Sequence, residues 1–415
     1  MKRFLYISIF PLILVCVMML ASCSSDEPDD IKLTERTVVV FMPWTGNSGN
    51  LISFFKTNIA DMKAALEQYG NKRTDRIVVY MAESATNSRM FELALENGKC
   101  EEKPIKTYSG IDVTTPVGIT SVLGDVADYA PAKKFAMIVG GHGMGWVRTA
   151  TYARSSAKLH ALMRMKGEDY VPLTRFFGGY TDGTMIDISD FAQGIRNAGI
   201  KMEYILFDDC YMSNVEVAFD LKDATDYLIA CPVEMMNYGM PYRNILKYLM
   251  GTLDYSAVCS ELISFYNSYT YGGKKYPYAT IAVTDCSQLD AIASLMRQIN
   301  DAADVEADAD GVQVFDGYSP SLFYDLGDYV RHICHDETLL AAFRQQMAAA
   351  VPYKDNTPYY FTSLVGVNGA VRKITEFSGL TVSDPSLNSY ANDKRTTAWW
   401  KATHKTEHKN MINRN

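Results

Sequence analysis

Basic excess, paired-cysteine spacing and internal repetition are all missing from this sequence, and each absence narrows what it can do. Lys and Arg number 40 against 48 Asp and Glu, a formal net charge of −8, so no basic stripe marks a nucleic-acid face. A positively charged partner or substrate suits the balance better. The eight cysteines give no disulfide framework. Cys16 falls in the apolar N-terminal segment and Cys23 just after it, and with Cys210 set aside, Cys100, Cys231, Cys259, Cys286 and Cys334 are odd in number and widely spaced. No C-x-x-C or H-x-x-x-H pair accompanies Cys210. His404 and His408 near the C-terminus have no third ligand nearby, so they read as a solvated end and no metal site is expected. No repeat or low-complexity tract interrupts the chain. What is present is 48% hydrophobic residues over 415 positions, enough for a sizeable core and, by length, two or three domains.

The N-terminus has the order of an export signal. Lys2 and Arg3 precede an apolar run from Phe4 to Leu20, and the small residues Ala21 and Ser22 follow. About 17 apolar residues is short for a membrane span. Leu20-Ala21-Ser22-Cys23 resembles the bacterial lipoprotein box, in which cleavage precedes a cysteine that then carries lipid. Losing residues 1–22 removes Lys2 and Arg3, and the charge moves from −8 to −10. Ser24-Ser25-Asp26-Glu27-Pro28-Asp29-Asp30 then forms an acidic tether, similar to the surface-export signals of Bacteroidetes lipoproteins. The expectation is an outer-membrane lipoprotein, facing the cell surface or the periplasm, that meets the membrane only through Cys23.

Beyond the tether, apolar runs alternate with helical stripes. Thr37–Met42, Arg76–Met81 and Lys134–Val139 are continuous apolar runs, the pattern of strands covered on both faces. Leu51 to Tyr69 carry apolar residues at helical spacing until Gly70 stops them, and residues 116–130 also read as helix. Such alternation predicts an α/β fold with a mostly parallel sheet and helices on both faces. Tyr227–Cys231 and Ala279–Val283 are further strands. The loop from Pro232 to Tyr242, with Glu234, Asn237 and Gly239, is expected at the same sheet edge as a wall of a substrate pocket.

Two stretches carry the chemistry. Tyr204-Ile205-Leu206-Phe207-Asp208-Asp209-Cys210 is an apolar run halting on two acids and a cysteine, followed by helical spacing over residues 213–222. It predicts a buried strand, a sharp turn and a helix, with Cys210 at the helix N-terminus, where unpaired N–H groups and the dipole favour a thiolate. The alternative for Cys210 is a packed thiol. The third strand runs into Gly140-Gly141-His142-Gly143-Met144-Gly145-Trp146, where four glycines leave the imidazole uncovered and let backbone approach a ligand. If these strands are neighbours, about 4.8 Å apart, His142 and Cys210 emerge together. Such a pair supplies a nucleophile and a general acid for acyl transfer.

The His-Gly after one strand and the Asp-x-Cys after the next, with Met212 and Val215-Glu216-Val217-Ala218 following, resemble the clostripain family of cysteine peptidases, relatives of caspases, legumain and gingipains. The likeness runs from the Thr37 strand to about Thr403, including Tyr324–Asp328 and Ala398–His404. It implies a caspase-like α/β/α sandwich with a smaller C-terminal region, a His142–Cys210 dyad, and an oxyanion site made by the N–H groups of Gly143 and Cys210. It further implies cleavage after Arg or Lys, with Asp208, two residues before the cysteine, on the pocket floor. Residues two apart on a strand share a face, so Asp208 can lie on the side of Cys210 while Asp209 points away. The family usually has a small residue where this chain has Asp209; a carboxylate there raises a neighbouring thiol's pKa, implying weaker activity or a different substrate.

The resemblance requires no cofactor and allows calcium. Glu306, Asp308, Asp310 and Gly311 match an EF-hand start, but the closing position falls on Gly317, so an acidic surface loop is the reading. The segment from Val147 to Gly179 exceeds the roughly 12 to 15 residues usual for a connection and is rich in Arg and Lys. Some family members are matured by cutting a linker here, which makes Arg154 and Lys158 the self-cleavage candidates. The organisation read from the sequence is thus a signal over residues 1–22, a tether over 23–35, a catalytic domain over 36–250, a C-terminal region over 251–403 and a polar tail over 404–415. A non-catalytic surface-binding lipoprotein on the same fold is the alternative function.

Overall fold

Apolar runs with β-branched centres become strands, and here they become the middle of one large sheet. The structure is a computed structural model and describes residues 33–43, 51–70, 74–84, 86–151, 185–302, 309–365 and 368–405. Strands β1 (Thr34–Met42), β2 (Asp75–Ala82), β3 (Asn87–Glu96), β4 (Lys99–Ser109), β5 (Ala132–Gly140), β6 (Met202–Asp208), β7 (Thr225–Ala230), β8 (Thr280–Asp285) and β9 (Tyr353–Asn356) form a nine-stranded sheet in the order β9-β8-β7-β6-β5-β1-β2-β3-β4. Its centre, β7-β6-β5-β1-β2, is parallel throughout. Antiparallel pairs extend it on each flank, β3 and β4 on one side and β8 and β9 on the other. Val38 to Met42, Ala136 to Val139 and Tyr204 to Phe207 are completely buried, as strands covered on both faces must be.

The helices cover both faces because the strand order reverses at β1. α1 (Leu51–Tyr69) connects β1 to β2, while α2 (Pro116–Tyr129), α3 (Ile188–Asn197) and α4 (Val215–Leu221) precede strands added in the other direction. Right-handed crossovers then put α1 on one face and α2, α3 and α4 on the other. The packing agrees: α3 lies against both α2 and α4, and α1 packs with the turn Tyr242–Ile245 instead. This is the sandwich expected from the sequence.

The C-terminal part is built differently from a satellite packed on a finished core. β8 and β9 complete the main sheet, and residues from Thr34 onward form one compact unit. A hairpin of β10 (Tyr359–Thr362) and β11 (Ala370–Lys373) and the short strand β12 (Thr381–Val382) then return toward the catalytic edge. His404 is also not a solvated end: its ring stacks on Trp400 at 3.5 Å, and burial pushes its pKa down to about 4. His408 lies outside the described residues.

Candidate active site

Parallel pairing of β5 with β6 sets Gly140 opposite Asp208. Counting two residues on from each places His142 and Cys210 at matching positions beyond the sheet's carboxyl edge, beside the point where strand order reverses, which is where open α/β sheets hold their ligands. Both residues are fully buried. Their loops touch through backbone: a Cβ built on Gly143 would stand 1.9 Å from the Cys210 carbonyl oxygen and 2.9 Å from its nitrogen, so only glycine fits. Gly145 sits at φ +61°, where an added Cβ would stand 2.5 Å from the Asn214 amide nitrogen and 3.0 Å from the Tyr211 carbonyl oxygen. The glycines after the histidine therefore serve loop-to-loop approach.

The two acids before the cysteine point opposite ways, as alternation requires. Asp209 turns to the histidine loop and accepts the Gly141 N–H at 2.5 Å. It pins the approach to His142, a positioning contact that its place beside Cys210 did not suggest. Asp208 turns to the loop after β7, accepting the Met240 N–H and the Tyr242 hydroxyl, each at 2.9 Å. It is fully buried, with each carboxylate oxygen engaged by one of these partners.

Cys210 is not at a helix N-terminus. α4 begins only at Val215, and the intervening residues run as an irregular turn in which Tyr211 adopts φ +58°, a left-handed conformation unusual for a bulky residue. What addresses the sulfur instead is the Met235 N–H, 3.2 Å from Sγ. The Pro232–Tyr242 loop expected as a pocket wall thus lies over the cysteine. Tyr211 N–H donates to Val233 O at 3.0 Å and Ser213 N–H to Cys231 O at 3.1 Å, tying the turn to the same segment. These pairs join residues some twenty positions apart, and no local pattern announces them.

A second support comes from β12. Ser213 donates its hydroxyl to Gly379 O at 2.7 Å and accepts the Thr381 N–H at its carbonyl. Ser383 N–H donates to Glu216 at 2.7 Å, and the Ser383 hydroxyl accepts the Trp146 indole N–H at 2.9 Å. One short strand therefore holds both the cysteine turn and the end of the histidine loop. Beneath it, Glu216 and Asp384 are buried together; burial, and for Glu216 the Asp384 charge, push both carboxyls upward. The loop bearing Phe323, whose ring stacks on Tyr211 at 5.2 Å, is held by Asp316 through the N–H groups of Tyr318, Leu322 and Phe323. Burial raises Asp316 to about 6.

Cys231 is core, bonded to Thr280 O at 2.7 Å, with burial raising its thiol well above the ordinary range. Arg148 donates to Thr396 at 3.1 Å, whereas Arg154 and Lys158 lie outside the described residues, as does Cys23. Glu306 and Asp308 are outside them too, and among the described residues no group of three His, Cys, Asp or Glu could hold a metal ion.

The family model for the clostripain family matches residues 43–378. Among solved structures, the secreted C11 cysteine protease "iotapain" from Bacteroides thetaiotaomicron is 45% identical, with 90% of this chain and 99% of that one covered and a TM-score of 0.80. A clostripain from the same organism, in complex with the peptide inhibitor BTN-VLTK-AOMK, is 49% identical over 56% of this chain and 100% of its own, with a TM-score of 0.52. An inactive zymogen C11 protease from Parabacteroides distasonis, 22% identical with 90% of this chain and 100% of that one covered and a TM-score of 0.73, shares the fold. No curated protein matches. With the histidine-bearing and cysteine-bearing loops meeting at one edge of this sheet, and with four-fifths of the sequence under the family model, the chain belongs to the clostripain family and is a cysteine peptidase.

Proposed function

We propose that Cys210 is the nucleophile and His142 its general acid and base. The observation that supports this reading is the register Gly140 opposite Asp208, with His142 and Cys210 each two residues further on at the same sheet edge. The Cys210 thiolate adds to the carbonyl carbon of the scissile bond, and the negative charge gathers on the carbonyl oxygen. The N–H groups of Gly143 and Cys210 receive it, fixed in place by the backbone contact between them. His142 protonates the departing amine, and water then displaces the acyl group from sulfur. The chemistry uses no metal. A calcium requirement, which the family resemblance allows, is read by activity before and after chelation.

Cleavage follows Lys or Arg. The inhibitor bound by the 49% identical relative ends in Lys before its reactive group, and Asp208 lies on the cysteine's side of the strand. Because Met240 and Tyr242 cover Asp208 and the Met235 segment covers Cys210, the uncut chain is closed, and the 232–242 loop moves for a basic side chain to reach the carboxylate. Self-cleavage between residues 147 and 179, at Arg154 or Lys158, is the releasing step. The mature protein is held at the outer membrane by lipid on Cys23.

Lys-based and Arg-based fluorogenic peptides, offered to wild type and Cys210→Ala, test the reading. Activity confined to wild type is expected, together with two associated chains in wild type and one in the variant. Equal nicking of both proteins would contradict self-cleavage, and basic-peptide hydrolysis by Cys210→Ala would contradict the nucleophile. Without hydrolysis in either, the non-catalytic surface-binding reading of the dyad would stand.

A further inference from the structure

We propose that Glu234 is a positioning residue for Cys210, acting through Tyr211 and Met235 without touching substrate. The proposal rests on Cys210 being the nucleophile. Glu234 is 2% exposed and accepts four hydrogen bonds: the Tyr211 hydroxyl at 2.8 Å, the Thr362 hydroxyl at 2.6 Å, and the N–H and hydroxyl of Ser363 at 2.8 and 2.6 Å. A buried carboxylate with this many donors is fixed in place. Tyr211, the residue after Cys210, holds its left-handed backbone while its ring is clamped between Phe323 and Glu234. On the other side, the residue after Glu234 supplies the Met235 N–H that points at Sγ. One side chain thus fixes the backbone leaving the nucleophile and the donor approaching it, and both are anchored to the end of β10.

Glu234→Ala removes all four contacts, Glu234→Gln keeps the oxygen that faces Tyr211, Thr362 and the Ser363 N–H, and Thr362→Val removes an anchor that reaches neither Tyr211 nor Met235. Steady-state kinetics on a Lys peptide and the pH dependence of Cys210 alkylation by iodoacetamide are measured for each. Glu234→Ala should lower kcat at least about tenfold with KM within about twofold, because misplacement acts on the reacting geometry, and should place the alkylation midpoint above that of Glu234→Gln, which loses the same charge but keeps the Met235 N–H on the sulfur. Glu234→Gln should recover kcat to within about threefold, and Thr362→Val, which leaves both Ser363 anchors on the carboxylate, should shift the midpoint less than Glu234→Ala does. Should Glu234→Ala fail to fold, Tyr211→Phe carries the test, with about a three- to tenfold fall in kcat expected for one lost hydrogen bond. A wild-type kcat and midpoint in Glu234→Ala or Tyr211→Phe, or a Thr362→Val shift equal to that of Glu234→Ala, would overturn the proposal. Full activity in Cys210→Ala is a different outcome: it would remove the nucleophile assignment beneath it.

Discussion

Replacing Gly143 with alanine is a one-methyl test of how the two catalytic loops meet. The added Cβ would lie 1.9 Å from the Cys210 carbonyl oxygen and 2.9 Å from its carbonyl carbon and nitrogen. Real contacts of this kind stay above 3.0 Å, so one loop must retreat by roughly 1 Å, and the obstacle is backbone that cannot rotate aside. A displacement of about 1 Å at reacting groups costs on the order of 100-fold in rate, equivalent to about 2.7 kcal/mol of activation free energy. Overpacking of a buried contact adds a stability cost of about 1 to 3 kcal/mol. The prediction is therefore a kcat on a Lys peptide lowered on the order of 100-fold, with a lower melting temperature. Gly124→Ala is the control: nothing lies within 4 Å of its added Cβ, and alanine inside α2 should stabilise by up to about 1 kcal/mol. A Gly143→Ala enzyme with kcat within about twofold of wild type and an unchanged melting curve would refute the argued contact between the histidine and cysteine loops.

Asp208→Ala should lose most cleavage after Arg and Lys, by on the order of 2 to 5 kcal/mol for an ion pair with one partner removed, while Cys210 alkylation persists; unchanged kinetics on both peptides would take Asp208 out of the pocket. Asp209→Ala removes the acceptor of the Gly141 N–H and should lower kcat by about tenfold, measured on the same peptides; a faster enzyme would mean the carboxylate burdens the thiol more than it orders the histidine loop. Glu216 and Asp384 have raised pKa values when folded, so the folded state keeps protons that the unfolded chain has released. Stability should accordingly fall as pH rises from the ordinary carboxylate range near 4 through neutrality, and denaturation of Glu216→Gln across that range should show a flatter profile; parallel profiles would contradict the buried pair. Cys23→Ala should release the protein from the outer membrane or block its maturation, and a wild-type protein that incorporates no labelled fatty acid would contradict the lipid anchor.

What the sequence disclosed followed from period and punctuation. β1, β2, β5 and β6 were legible because a strand covered on both faces must be continuously apolar, and the placement of His142 and Cys210 followed once β5 and β6 were taken as neighbours. β3 and β4 escaped notice because this flanking hairpin mixes exposed Lys and Glu with apolar residues, a pattern shared with loops. The helix expected to begin at Cys210 begins at Val215 because the intervening residues are held by long-range bonds to Cys231, Val233 and Thr381. Glu234 was visible as a loop acid, but its anchors at Thr362 and Ser363 lie 128 and 129 positions away. Likewise the clamp from Ser383 to Trp146 spans 237 positions, and separations of that size leave no trace in local spacing.

In the proposed mechanism a thiolate on Cys210, served by His142, attacks the substrate carbonyl. A peptide acyloxymethyl ketone ending in Lys alkylates the attacking sulfur, so peptide mapping by tandem mass spectrometry after brief exposure reads the claim directly. The predicted result is one adduct on Cys210 in wild type, strongly slowed in His142→Ala and absent in Cys210→Ala. An adduct on Cys100, Cys231, Cys259, Cys286 or Cys334 in its place, or peptide hydrolysis that continues in Cys210→Ala, would contradict it.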